Sequence, residues 1–543
     1  MENNDLNNPN IKKEDITQPN ASENMYSYRD NNNNNNIDNA EEAGAIRRSI
    51  GEGNPNINYP QKDIGAGYGQ NYINNINSGK QNSQQNYYDS NETSSYWVIY
   101  LFLGCIEILI IVLLAVFFEI KIKFVYENNE NSFNYGILRD MNIMVFIGFG
   151  MLHSILRRSS WISIIINVLI LSFSIQYSLL FNYAWKKIFK ENFNGENLDF
   201  NYLMKAIFIS SSTLITLGSV LGKLSIIQYI IMALFETILS SLNYQLCEVK
   251  LYAIDYGGSL YIHSFGAIFA LAITAVLFCS SKIKLSFQNY DYLNKSNYFS
   301  NLTSFLGIII LFCYFPSFNS ALAEEVLRDE GRINTYLSLF GSVMGSFITS
   351  GICNRGRFIF EEIFMGSISG AIIISGCCTV CLEKHWAPIL IGTLGSIIIV
   401  LYLSKIKPFF VKWGLQDTCN IIILHGISGL LGAFITPMFF SGDDSGKKAA
   451  IQIGSIFITI GISFIGGIAT GYLMKISKCG KINQYFTDAE FFIEEENNIF
   501  EYIEPNTAFN VDINNPSLFK MDYPVYNNQK VKSEEMRGSQ PSY

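Results

Sequence analysis

Asp255-Tyr-Gly-Gly-Ser-Leu-Tyr-Ile-His263 and Asp417-Thr-Cys-Asn-Ile-Ile-Ile-Leu-His425 are two copies of one pattern, an aspartate eight residues ahead of a histidine in a long apolar run. Eight helical residues rise about 12 Å, so an aspartate at the edge of a hydrocarbon core about 30 Å thick puts its histidine near the midplane. The two patterns lie 162 residues apart. Apolar runs beginning near 142, 204, 224 and 257 have counterparts near 303, 363, 387 and 419, and only the pair near 161 and 335 drifts. Five runs per copy is an odd number, so the second copy enters the membrane upside down relative to the first, the inverted arrangement of many transporters. That geometry predicts that the two histidines converge on one central site.

The composition agrees with a membrane protein. Of 543 residues, 49% are hydrophobic and 15% charged, and the polar residues collect at the two ends. Runs long enough to cross a bilayer are predicted at 97–118, 142–156, 161–182, 204–222, 224–245, 257–279, 303–322, 335–352, 363–381, 387–403, 419–440 and 450–474. The expected fold is an all-α membrane protein of about twelve transmembrane helices, with a five-plus-five inverted repeat over about 142–279 and 303–440. Residues 1–95 are polar, with an asparagine run at Asn31 to Asn36, and are expected to be a disordered tail. Residues 96–480 form the membrane domain, and 481–543 a second tail with an acidic patch at Glu494, Glu495 and Glu496. An even number of spans puts both tails on one side. A long polar arm without a signal-like apolar core is awkward to translocate, so both tails are expected in the cytosol and the protein in the plasma membrane. Lysine and arginine are too evenly divided between the two sets of loops to orient the chain.

Several classes of function are disfavoured. A net charge of −8 argues against a nucleic-acid partner. Cys377, Cys378 and Cys381 include one CxxC, but it lies in an apolar run with no second pair, so these read as packing residues and no metal is expected. There is no HExxH, no GxSxG and no matched pair of catalytic aspartates, so neither enzymatic activity, a catalytic residue nor a cofactor is expected. A polar ring deep in a span is costly unless it faces a partner or a cavity, which assigns His263 and His425 to a pore. Asp255 and Asp417 sit where helices start; there a carboxylate accepts bonds from free amides and suits the positive end of the helix dipole.

The stretch from Asp255 through His263-Ser-Phe-Gly-Ala resembles the signature of the Rhesus-type ammonium transporters, within the wider ammonium transporter superfamily. Met144-Val-Phe-Ile-Gly-Phe-Gly-Met, Leu217-Gly-Ser-Val-Leu-Gly-Lys, Pro316-Ser-Phe-Asn-Ser-Ala and Gln416-Asp-Thr-Cys, followed by Leu424-His-Gly-Ile-Ser-Gly, resemble further family blocks in the right order. The resemblance spans roughly 97–480, and the extra span before the repeats is similar to the Rhesus branch. It implies a homotrimer in the lipid bilayer, each protomer with its own narrow apolar pore for ammonia. By the same resemblance His263 and His425 are the twin pore histidines, Phe208 and Phe318 the paired phenylalanines closing the outer end, and Asn319 the polar residue beside that gate. Ammonium would shed its proton at the gate and neutral ammonia would pass the histidines.

The chain also departs from the family pattern. Asn243-Tyr-Gln stands where relatives carry an acidic vestibule residue, for which Glu324, Glu325, Asp329 and Glu330 are candidate substitutes. Asn420, Ile422 and Ile423 replace a glycine and paired asparagines, making the inner half of the pore more apolar. His153 falls where relatives have an apolar residue and, close to Arg157 and Arg158, reads as interfacial; His385 reads as an exposed loop residue. Glu107 and Glu236 read as helix-packing or protomer-interface residues. Methylamine and carbon dioxide are further candidate substrates. The alternatives are a carbon dioxide channel of the same fold and a non-transporting membrane protein that anchors a complex.

Overall fold

The computed structural model describes residues 90–118, 130–189, 198–278, 295–381, 384–407, 417–476, 486–488 and 491–492. Residues 1–89 of the tail expected over 1–95, and most of 481–543, lie outside the described residues. Twelve helices, and no strand, are found among the described residues. Helix α1 is Ser90–Phe117; α2 is Glu130–Asn142, prolonged through a π-helical turn Ile143–Gly148, Phe149–Leu152 and a 3-10 turn His153–Ile155. The first repeat continues with α3 (Ser160–Phe189), α4 (Phe200–Val220), α5 (Ile226–Tyr244, then a π turn Gln245–Lys250) and α6 (a π turn Ser259–Ser264, then Phe265–Phe278). The second comprises α7 (Tyr298–Ser320), α8 (Glu325–Cys353), α9 (Phe360–Ile374), α10 (Trp386–Leu401, then a π turn Tyr402–Ile406) and α11 (Ile421–Ile435, then a 3-10 turn Thr436–Phe439). Helix α12 is Ser445–Ile476.

Eleven of these helices are long and apolar enough to cross a membrane. The exception is α9, whose run was expected to reach 381 but which stops at Ile374 and unwinds into turns. Helices α1 and α8 begin earlier than their apolar runs, at Ser90 and Glu325, because polar residues continue the helix beyond the hydrocarbon-length segment. Short polar side chains mark several starts: Asp199 accepts from the Tyr202 amide, and Ser225 with Gln228, and Asn297 with Ser300, form reciprocal capping boxes. Leu101, Phe102, Ile108, Leu109, Ile111 and Val112 of α1 are exposed, as side chains facing lipid or a neighbouring protein must be.

Helices in lipid gain little from the hydrophobic effect between themselves and rely on close backbone approach and polar contacts. The sequence provides both between α8, α9 and α10. Ser338 Oγ donates to the Gly370 carbonyl at 2.8 Å, and Ser342 Oγ to that of Ser367 at 2.5 Å. A Cβ on Gly370 would lie 2.5 Å from the Ser338 carbonyl oxygen and 2.6 Å from Ser342 Oγ.

The two repeats embrace through their third and fifth helices. The loop ahead of α6 donates the Gly257 amide to the Ser375 carbonyl at the end of α9. The loop ahead of α11 donates the Thr418 and Cys419 amides to Ser219 and Gly218 at the end of α4. Each repeat thus fixes the start of its last helix on the third helix of the other.

Two residues of the expected C-terminal tail, Phe486 and Asp488, are packed against the membrane domain. Phe486 is buried against Tyr229 and donates its amide to the Gly222 carbonyl. Asp488 accepts from the Ile162 and Trp161 amides at 2.8 and 3.3 Å, capping α3, and gives its own amide to the Arg158 carbonyl.

Gly370→Ala is expected to destabilise the protein by about 1–3 kcal/mol, because α8 must move to admit the methyl group. Gly136, whose added Cβ would meet nothing within 4 Å, provides the control. Thermal unfolding in detergent should show a lower midpoint for Gly370→Ala and an unchanged or slightly raised one for Gly136→Ala.

Candidate functional site: a buried row of rings

The last helices of the two repeats start alike. Gly258 (φ 83°) and Asn420 (φ 55°), at matching repeat positions, both adopt the left-handed conformation just before α6 and α11. Glycine has no Cβ to clash there and asparagine tolerates it better than most residues. The turn brings each aspartate over the free amides of the following helix. Asp255 accepts from the Leu260 and Tyr261 amides, both at 2.8 Å, and from Ser259 Oγ at 3.1 Å. Asp417 accepts from the Ile421 and Ile422 amides at 3.0 and 2.9 Å.

Burial pushes the Asp255 carboxyl up to about 6, against the pull of the Tyr261 and Leu260 amides. It pushes Asp417 to about 6 as well, opposed by the Lys223 cation and by the Ile421 and Ile422 amides. Each carboxyl caps its helix through the bonds it accepts from these amides. Asn420 also bonds Glu361, which is paired with Lys407 at 2.8 Å, so the Asp417 end carries its own polar cluster.

Eight residues beyond the caps, the histidines meet. His263 and His425 are buried, with ring centroids 4.9 Å apart and Nδ1 atoms at 2.9 Å. That contact needs a proton on one Nδ1 and a lone pair on the other, so the two rings hold complementary tautomers. Towards Asp255, Phe315 lies 6.1 Å from His263 and meets Phe318 edge-on at 6.3 Å. Phe318 stacks on Phe208 at 5.7 Å and 19°. Towards Asp417, Phe149 is 6.3 Å from His425 and 6.0 Å from His153. Seven buried rings thus form one row, Phe208, Phe318, Phe315, His263, His425, Phe149 and His153.

Both residue pairs singled out from the sequence come together here. Asn319, next to Phe318 in the chain, donates from Nδ2 to the Ala371 carbonyl at 2.9 Å and to Thr335 Oγ1 at 3.2 Å, tying α7 to α9 and α8. Asn243 is buried and accepts from Thr459 Oγ1, a packing contact with α12. Glu324, Glu325 and Asp329 are exposed, and Glu324 lies close enough to Tyr256 to add to the rise in its phenol pKa that burial chiefly causes. Glu236 is wholly buried and accepts from Thr216.

His153 corrects the interfacial expectation, because it has no solvent exposure and is held by Asn167 of α3. His385 is exposed. Sequence reasoning also passed over Phe315 and Phe149, although each lies in or beside a quoted segment: one precedes Pro316, the other is the sixth residue of the Met144 stretch.

The Ammonium Transporter Family model matches residues 101–485. The chain belongs to the ammonium transporter family, in its Rhesus-type branch. This family member is 30% identical over 392 residues to the ammonium transporter Rh type B of Danio rerio, covering 67% of this chain and 83% of that protein. It is 28% identical over 409 residues to the human ammonium transporter Rh type C, covering 70% and 84%. Among solved structures, Nitrosomonas europaea Rh50, of the Rhesus protein family of channels, matches at 26% identity with a TM-score of 0.60, over 67% of this chain and 93% of that one. Candida albicans Mep2 shares the fold at 14% identity, with a TM-score of 0.52 over 66% of this chain and 88% of that one. The protein is an integral membrane protein.

Replacing Asp255 by alanine leaves the amides of Leu260 and Tyr261 without their acceptor, a loss of about 1–3 kcal/mol for each buried group. The unfolding midpoint in detergent should fall markedly for Asp255→Ala and less for Asp255→Asn, which keeps one acceptor oxygen. An unchanged midpoint for the alanine variant would mean the cap is dispensable.

Proposed function

We propose that this protein conducts ammonia across the membrane along the row of rings, and that the Nδ1 contact between His263 and His425 is its centre. The single observation carrying this reading is that contact, buried between phenylalanines on both sides. The names of its relatives, ammonium transporters of Rh types B and C, point to the same substrate.

A bare ammonium ion in an apolar passage loses hydration worth tens of kcal/mol, whereas neutral ammonia needs only hydrogen-bond partners in turn. In this reading exposed Glu324 and Glu325 draw cations towards the Asp255 end. Phe208 and Phe318 bar the hydrated ion, which gives its proton to water on the outer side and goes on as ammonia. Ammonia then passes the two imidazoles, which offer it a lone pair and an N–H, and is reprotonated beyond the Asp417 end. Asp255 and Asp417 act through the backbone, fixing the depth of each ring. Residues 96–480 act as the membrane domain of a homotrimer in the plasma membrane, both tails in the cytosol and Asp255 facing out. Methylamine is the larger substrate the same route admits.

The test is flux into proteoliposomes, read as internal pH under imposed gradients of ammonium and, in parallel, carbon dioxide. His263→Ala and His425→Ala are each expected to lower ammonia flux by about tenfold or more, since each removes half of the relay. Wild-type flux in both would overturn the route. Phe208→Ala combined with Phe318→Ala should raise the leak of water and methylamine by shortening the dry segment. Because a neutral particle gains no energy from the membrane field, flux in the unmodified protein should follow the ammonia gradient and ignore an imposed potential. A voltage-driven current matching the total flux would refute passage as ammonia alone.

A further inference from the structure

We propose that His153 is a third ligand-binding station of the conduction path, accepting a hydrogen bond at Nε2 from the N–H of the permeating species after it leaves His425. This rests on the reading of the route just given and extends it towards the Asp417 end.

Three observations carry it. The first is the fixed tautomer. Asn167 Nδ2 donates to the Val145 carbonyl at 3.3 Å, and turning the amide over would set two oxygens against each other. Asn167 Oδ1 therefore faces His153 Nδ1, at 3.1 Å, and that nitrogen carries the proton. Nε2 is left as a bare lone pair.

The second is that this lone pair is buried and has no hydrogen-bond partner. An unsatisfied buried acceptor is costly, and packing alone would be served as well by a phenylalanine of similar shape. A transient N–H donor removes the cost.

The third is position. Nε2 is packed close to Gly218, where an added Cβ would lie 2.9 Å from it and 2.8 Å from Ile421 Cγ1. Any larger residue at 218 would cover the nitrogen. Ile421 is one helical turn ahead of His425 on α11 and so on the same face. Phe149, in ring contact with His425 at 6.3 Å and with His153 at 6.0 Å, makes His153 the next imidazole of the row beyond His425. The ligand class is a small neutral N–H donor, ammonia.

The chain has four histidines, few enough to resolve each imidazole by nitrogen-15 resonance in the full-length protein, labelled at histidine and held in lipid nanodiscs. Single glutamine replacements of His263, His385 and His425 assign three of them and leave His153 by elimination. The expected result is a protonated Nδ1 and an unprotonated Nε2 on His153, with the Nε2 resonance moving when ammonium chloride, but not sodium chloride, is added. A protonated Nε2, or one that ignores ammonium, overturns the proposal. In proteoliposomes, His153→Leu should lower ammonia flux about three- to tenfold, and His153→Gln, which restores an acceptor, should lower it less. Wild-type flux in a folded His153→Leu protein also overturns it; if that variant does not fold, the resonance of the unmodified protein decides. If replacing His263 and His425 leaves flux intact, the route itself fails. If those replacements abolish flux while His153 ignores ammonium, only the third station fails.

Discussion

Two carboxylates hold the centre of this protein in place from a distance. A helix that begins inside a membrane protein leaves its first amides without partners, and in low dielectric that deficit is severe. Asp255 and Asp417 meet it for α6 and α11, and their loops are tied in turn to the ends of α9 and α4. With the helix starts at Ser259 and Ile421 fixed, the ring positions four residues into each helix follow from helical geometry. The histidine contact at 2.9 Å is the product of four constraints, two caps and two cross-repeat loops, none of which touches either ring.

Much of this was legible because it is periodic. Apolar runs mark helices wherever hydrocarbon is the solvent, and the 162-residue offset between the aspartates, and again between the histidines, identified the repeat that makes them meet. Helix ends were less legible. The first turns of α8 hold Glu325 and the i,i+3 pair Asp329 and Arg332, and such residues extend a helix past the membrane without extending its apolar signal. The end of α9 shows the reverse, an apolar run that continues through Cys377 and Cys378 as turns, because protein rather than lipid surrounds it.

His153 was misread for a related reason. Its neighbours Arg157 and Arg158 suggested an interface, but which side of a helix looks inward is decided by residues far away in the chain, here Asn167 on α3 and Gly218 on α4. Phe149 and Phe315 share that difficulty. In a chain with 41 phenylalanines, nothing local separates a ring in the row from a ring in the packing.

The cap on α3 carries a consequence for synthesis. The amide of Ile162 is satisfied by the carboxylate of Asp488, 326 residues later in the chain. Helix α3 must therefore be made and threaded into the bilayer with its leading turn open, and every remaining membrane helix follows before its partner leaves the ribosome. The closing of that turn is one of the last local events in the making of the molecule, and it registers that the whole membrane domain has been translated.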